Sequence, residues 1–201
     1  MKSMLRPSMA FPLRTLAALA LALVAQASQA QSATFETKSL TPETALSAAR
    51  AALEFCRKAG YQVSVAIVDR AGLAQVFLRD RYAGAQTFDV ALNKAWTAAS
   101  FKISTLSLAQ ETQAGKPMSG LRSHPRVLAA GGGRVIEAGG TLLGGIGVSG
   151  APGGEADDAC AAAGIKAIAD ALEFEAAASS LSCPLRPAGL PAAPPPAAAL
   201  C

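Results

Sequence analysis

Between Thr141 and Gly154 the chain sets Gly144, Gly145, Gly147 and Gly150 in and just after a run that otherwise has the pattern of a strand. No other stretch limits the possible folds as much. A glycine in a strand has no side chain to pack, so its face must be met closely by another backbone or by a ligand, or the strand must bulge. Gly145, Gly147 and Gly150 also spell GxGxxG between a strand and a helix, the arrangement of a dinucleotide-binding turn. A nucleotide does not fit here. That fingerprint belongs to the first strand of a βαβ unit with an acid about 20 residues on, whereas here the chain has one more helix and then loses its periodicity. Glu155, Asp157 and Asp158 crowd the start of that helix, where carboxylates favour the helix but repel a pyrophosphate.

The neighbouring patterns make the sheet antiparallel. Tyr61 to Asp69 carries Val63, Val65, Ile67 and Val68, and Leu73 to Arg79 returns after Arg70-Ala71-Gly72, which predicts a hairpin. Asp69 serves as a turn former. A second hairpin is expected from about Arg134 to Glu137 and from Thr141 to Val148, joined by Ala138-Gly139-Gly140. Thr41, Pro42 and Glu43 form a helix start, and Gly60 closes that helix. Phe88, Leu92, Ala95 and Ala99 give a helical stripe over Ala85–Phe101. Ser104 caps a short helix ending at Gly115, and Lys116 to Ala130, with Pro117, Gly120 and His124-Pro125, is mostly loop or short helix. A last helix is expected from about Gly154 to Glu173. The result is an α+β domain, an antiparallel sheet of about five strands flanked by helices.

Both ends of the chain look different from this middle. Lys2, Arg6 and Arg14 precede an apolar run from Leu13 to Ala25 and the small-residue exit Ser28-Gln29-Ala30, the pattern of a secretory signal peptide over residues 1–30. The run is too short to span a bilayer, which needs about 20 residues. No stable membrane insertion is expected, and the protein should be periplasmic or secreted. Losing the three basic residues takes the formal charge from +4 to +1, too small to suggest nucleic acid as a partner. Residues 31–39 form a short linker, 40–175 one domain, and the Ala/Pro-rich stretch 176–201 a disordered tail. Cys56, Cys160, Cys183 and Cys201 lack metal-binding spacing. We favour buried free thiols at Cys56 and Cys160, with a bridge between them as the alternative that export permits.

The segment Gly144-Gly145-Ile146-Gly147-Val148-Ser149-Gly150-Ala151-Pro152-Gly153-Gly154-Glu155, followed by Asp157-Asp158, resembles the closing signature of the GlcG/HbpS family of heme-binding and proposed heme-degrading proteins. Val65 to Asp69 with Gly72, Asn93-Lys94-Ala95-Trp96-Thr97-Ala98, and Gly131-Gly132-Gly133 with Ile136 resemble its earlier motifs, while Val135 stands where the family often has Pro. The likeness spans Leu40 to Phe174. It implies a profilin-like α/β/α layering, a homo-oligomer, and heme or another small molecule as ligand.

His124 is the only histidine, hence the one imidazole candidate for heme iron; the competing description is a solvent-exposed loop histidine. Met118 is a weaker axial candidate and otherwise a packing residue. Arg122 and Arg126 flank His124 and are candidates for binding propionates. Lys94, off the apolar stripe, either faces a cleft as an anion partner or is an ordinary solvated lysine. Trp96 and Phe101 are expected in the core. No catalytic residue is assigned, since no Ser/His/Asp arrangement is present. An exported heme-binding, storage or sensing protein is the expectation. Oxidative heme degradation and an accessory protein that binds a different small molecule beside a metabolic oxidation pathway are the alternatives. Turnover would need an electron source, and the chain shows no flavin or nicotinamide site.

Overall fold

The computed structural model describes residues 33–181; the signal-peptide expectation and most of the tail fall outside them. The element order is α1 (Pro42–Lys58), β1 (Ser64–Asp69), β2 (Ala74–Arg79), α2 (Thr87–Phe101), α3 (Thr105–Glu111), a 3₁₀ turn (Ser119–Ser123), β3 (Gly133–Ala138), β4 (Thr141–Ser149), α4 (Gly154–Lys166) and α5 (Ala169–Leu181). Local chemistry sets several of these boundaries. The Thr44 N–H donates to Thr41 Oγ1 at 3.3 Å with Pro42 following, and Gly60 leaves α1 with φ +84°, which costs glycine nothing. The Ser107 N–H donates to Ser104 Oγ at 3.1 Å to start α3. Asp69 Oδ1 accepts from Ala71 N–H and Leu73 N–H at 2.8 and 2.9 Å, fixing the first hairpin turn. Gly139 and Gly140 both have positive φ, as the two-residue turn between β3 and β4 requires.

The strands form one antiparallel sheet in the order β2-β1-β4-β3. Among the described residues it has four strands, one fewer than the expected count: the two predicted hairpins supply all four, and Lys116 to Ala130 is a 3₁₀ turn and loop, as expected. Val65 and Ile67 of β1 with Ile146 and Val148 of β4 face α1 and α4 and make the larger core. Ala66 and Val68 face the other way, toward Ala91, Ala95 and Ala99 of α2. In register with them, Gly145 pairs with Val68 and Gly147 with Ala66, so both glycines lie under α2. A Cβ on Gly145 would stand 2.6 Å from the Ala95 carbonyl oxygen, and one on Gly147 would collide with that of Ala91. The glycines of β4 therefore answer a close backbone approach by a helix.

Three details depart from expectation. Cys56 and Cys160 are not free thiols: they form a disulfide joining α1 to α4, with Cα atoms 5.6 Å apart. The last helix is two, broken at Ala167 and Ile168 so that Ile168 and Leu172 both reach the core. The second of these runs on to Leu181, past the expected start of the tail at residue 176. At the far end of α1, Arg57 makes a two-pronged bond to buried Asp80, at 2.7 and 2.8 Å. This guanidinium holds the Asp80 carboxyl below the usual carboxylate range. Among the described residues no helix is long and apolar enough to cross a membrane.

Candidate functional site

The residues singled out from sequence separate into an exposed group over the second half of α2 and a buried pair beneath it. The exposed group is built on Trp96. This side chain is half-buried rather than in the core, and it is stacked: the His124 ring lies parallel to it within 10°, centroids 5.6 Å apart. The Arg126 guanidinium carbon sits 4.5 Å from the indole centroid, a cation–π distance. Phe101 meets the indole edge-on at 6.4 Å. Gly72, in the first hairpin turn, lies so close to the indole that a Cβ there would stand 2.9 Å from its Nε1. The loop carrying His124 and Arg126 is solvent-exposed at both.

His124 is held in one orientation. The Arg126 N–H donates to its Nδ1 at 3.2 Å, and a neutral imidazole that accepts at one nitrogen carries its proton on the other. In the neutral ring this geometry places the proton on Nε2.

Arg122 is committed elsewhere. Its Nε donates to the Thr112 carbonyl and hydroxyl at 2.8 and 3.1 Å, and its Nη2 to the Ala109 carbonyl at 3.1 Å, so it caps the carbonyl end of α3. Met118, entering the 3₁₀ turn, is 38% exposed.

Lys94 is neither a solvated lysine nor a residue facing an open cleft. It is 3% exposed, and its Nζ donates to Asp157 Oδ2 at 2.7 Å and to the Val148 carbonyl at 3.0 Å. Asp157 Oδ1 accepts the Ala151 N–H at 2.9 Å. Burial pushes the Asp157 carboxyl up, while Lys94 and the amides of Ala151 and Gly150 pull it back. Gly132, with φ +113°, lies over the pair; a Cβ there would stand 2.6 Å from Asp157 Cβ and 3.0 Å from Lys94 Nζ. The Gly131-Gly132-Gly133 run thus closes over a buried ion pair. Asp158 pairs with Arg134 at 2.6 Å. Two of the three acids that argued against a pyrophosphate at α4, Asp157 and Asp158, thus serve as internal partners, while Glu155 is exposed.

A cleft of about 80 Å³ opens between the start of α1 and α5, lined in part by Leu40, Thr41, Leu143 and Leu172. It contains none of the candidate ligand residues and is well below the roughly 300–1,000 Å³ of ordinary ligand pockets.

A four-stranded antiparallel sheet between helix layers, with a glycine-rich last strand under α2, defines the class of domain. A family model described as haem degrading protein HbpS-like matches residues 40–166, and the chain belongs to that family. A double mutant of HbpS from Streptomyces reticuli is 40% identical, with a TM-score of 0.64 over 68% of this chain and 91% of that one. The PduOC chain crystallised in a complex with heme is 35% identical, with a TM-score of 0.62 over 65% of this chain and 95% of that one. The corrinoid adenosyltransferase PduO of Salmonella typhimurium is 38% identical over 103 residues. That match takes in 50% of this chain and 31% of PduO, so the chain spans about a third of the length of the curated relatives it matches.

Trp96 as a stacking platform and Asp157 as the partner of Lys94 were missed in the sequence. Arg122, Arg126 and His124 sit at alternate positions of one loop, yet only the last two converge on the indole.

Proposed function

We propose that the protein binds heme, as an exported protein of the HbpS-like family, on the face formed by α2 and the loop from Lys116 to Ala130. The observation that supports this best is the heme complex of PduOC, whose chain is matched over 95% of its length. The donor set fits in part. His124 offers an exposed imidazole, and Arg126 an exposed guanidinium suited to a carboxylate; Met118 is a second axial candidate. Arg122 and Lys94 do not fit, because both are spent within the fold. Heme bound there would bring an iron that takes an axial donor and two carboxylates. For His124 to supply that donor through Nε2, its proton must move to Nδ1, where the Arg126 N–H now points. This face is open, so burying a porphyrin calls for a second copy of the chain, in keeping with a homo-oligomer. The Cys56–Cys160 bridge supports export to the periplasm or beyond, since disulfides persist in oxidising compartments.

Titration with hemin tests the reading: a shifted Soret band is expected, and its absence overturns heme binding. A shift that survives His124→Ala overturns only the iron-ligand assignment. The family description favours heme degradation as a second reading. Incubation of the hemin complex with ascorbate and oxygen would then release iron faster than free hemin does, and an equal rate excludes turnover.

A further inference from the structure

We infer that Thr97 is the residue that positions His124. Thr97 follows Trp96 on α2 and is fully buried at 0% exposure. A helical threonine often bonds the carbonyl of its own preceding turn, but this hydroxyl reaches into the loop. It donates to the Arg126 carbonyl at 3.3 Å and accepts the Leu128 N–H at 3.0 Å, so one atom fixes the backbone on both sides of Val127. The held Arg126 residue in turn aims its own N–H at His124 Nδ1, and the Val127 N–H donates to the His124 carbonyl at 3.1 Å. The imidazole then lies flat on Trp96. Two consecutive residues of α2 thereby hold the second half of the loop, Thr97 by its backbone and Trp96 by its histidine ring.

The consequence is chemical as well as steric. With Nδ1 covered by an amide, the neutral His124 ring presents no free nitrogen lone pair. Releasing the loop from Thr97 frees one. Thr97 thus governs whether His124 is available as a nucleophile or metal donor. Its bearing on heme rests on the function proposed above; the contacts do not.

The chain has a single tryptophan and a single histidine, and both report on the device without heme. Diethyl pyrocarbonate acylates an unprotonated imidazole nitrogen. Thr97→Val, which loses both hydrogen bonds, should raise the rate of His124 modification at least roughly fivefold, the population shift that one hydrogen bond of ordinary strength would give. It should also move the Trp96 emission toward that of His124→Ala, while Thr97→Ser restores both. Should Thr97→Val fail to fold, Thr97→Ala, which also lacks the hydroxyl, should accelerate modification where Thr97→Ser, which keeps it, does not. Unchanged modification and emission in Thr97→Val, or equal rates for Thr97→Ala and Thr97→Ser, would overturn the inference. A hemin titration that fails beside a positive modification result defeats the heme proposal and leaves the role of Thr97 standing.

Discussion

A lysine enclosed by protein keeps its charge only where the protein supplies what water did, and Lys94 receives a carboxylate and a carbonyl in return. Its loss would leave Asp157 buried without its cation. Lys94→Met should therefore destabilise the fold by about 3–5 kcal/mol, read from the midpoint of chemical denaturation; a cost near zero would mean that water reaches the pair. The sequence misplaced this residue for a definite reason. Ranking α2 by hydropathy puts Phe88 and Leu92 inside, whereas Phe88 is 46% exposed and the buried face runs through Ala91, Lys94, Ala95 and Ala98. The sheet beneath is Gly145, Gly147, Ala66 and Val68, and over the glycines only small side chains let a helix approach that closely. Which face is buried depends on the partner surface, and α2 alone does not carry that information. Asp69, by contrast, acts through its own neighbours and was legible as a turn former. Thr97 acts on residues 29 to 31 positions away, and no local pattern announces it.

The packing of α2 on β4 is the contact most sensitive to a single methyl group. Gly147→Ala would set a Cβ against the Ala91 carbonyl and 2.6 Å from the Ala95 nitrogen. Backbone cannot swing aside as a side chain can, so the helix must lift, at a cost of about 1–3 kcal/mol. Gly120→Ala meets nothing within 4 Å and should melt at the wild-type temperature, which makes it the control. The hairpins, α1 and the start of α3 were legible because caps, turns and alternation are written within a few residues. The break between α4 and α5 was not. Neither glycine nor proline marks Ala167 or Ile168; the turn brings Ile168 and Leu172 onto the core, a demand of tertiary packing. The count of about five strands exceeded what the two hairpins supply, and the loop from Lys116 to Ala130, legible from its prolines, is ordered by Thr97 and Arg122 rather than by a ladder.

Across the whole molecule the strongest single constraint is covalent. Cys56 and Cys160 are both buried, at 0% and 1% exposure, and 104 residues apart in sequence. Replacing both with serine should cost about 2–5 kcal/mol and lower the melting temperature; an unchanged melt would show that the bridge constrains little. Placing both cysteines on helices that pack on one sheet made this pair the candidate bridge in the sequence. Spacing alone did not rank it above free thiols, because the proximity arises only when α1 and α4 lie side by side. The chain between them includes every strand, α2, α3 and the exposed loop that bears His124 and Arg126. That stretch is a closed covalent ring. A protease that severs the loop therefore opens the ring without dividing the molecule, and the two pieces travel as one until a reductant parts them.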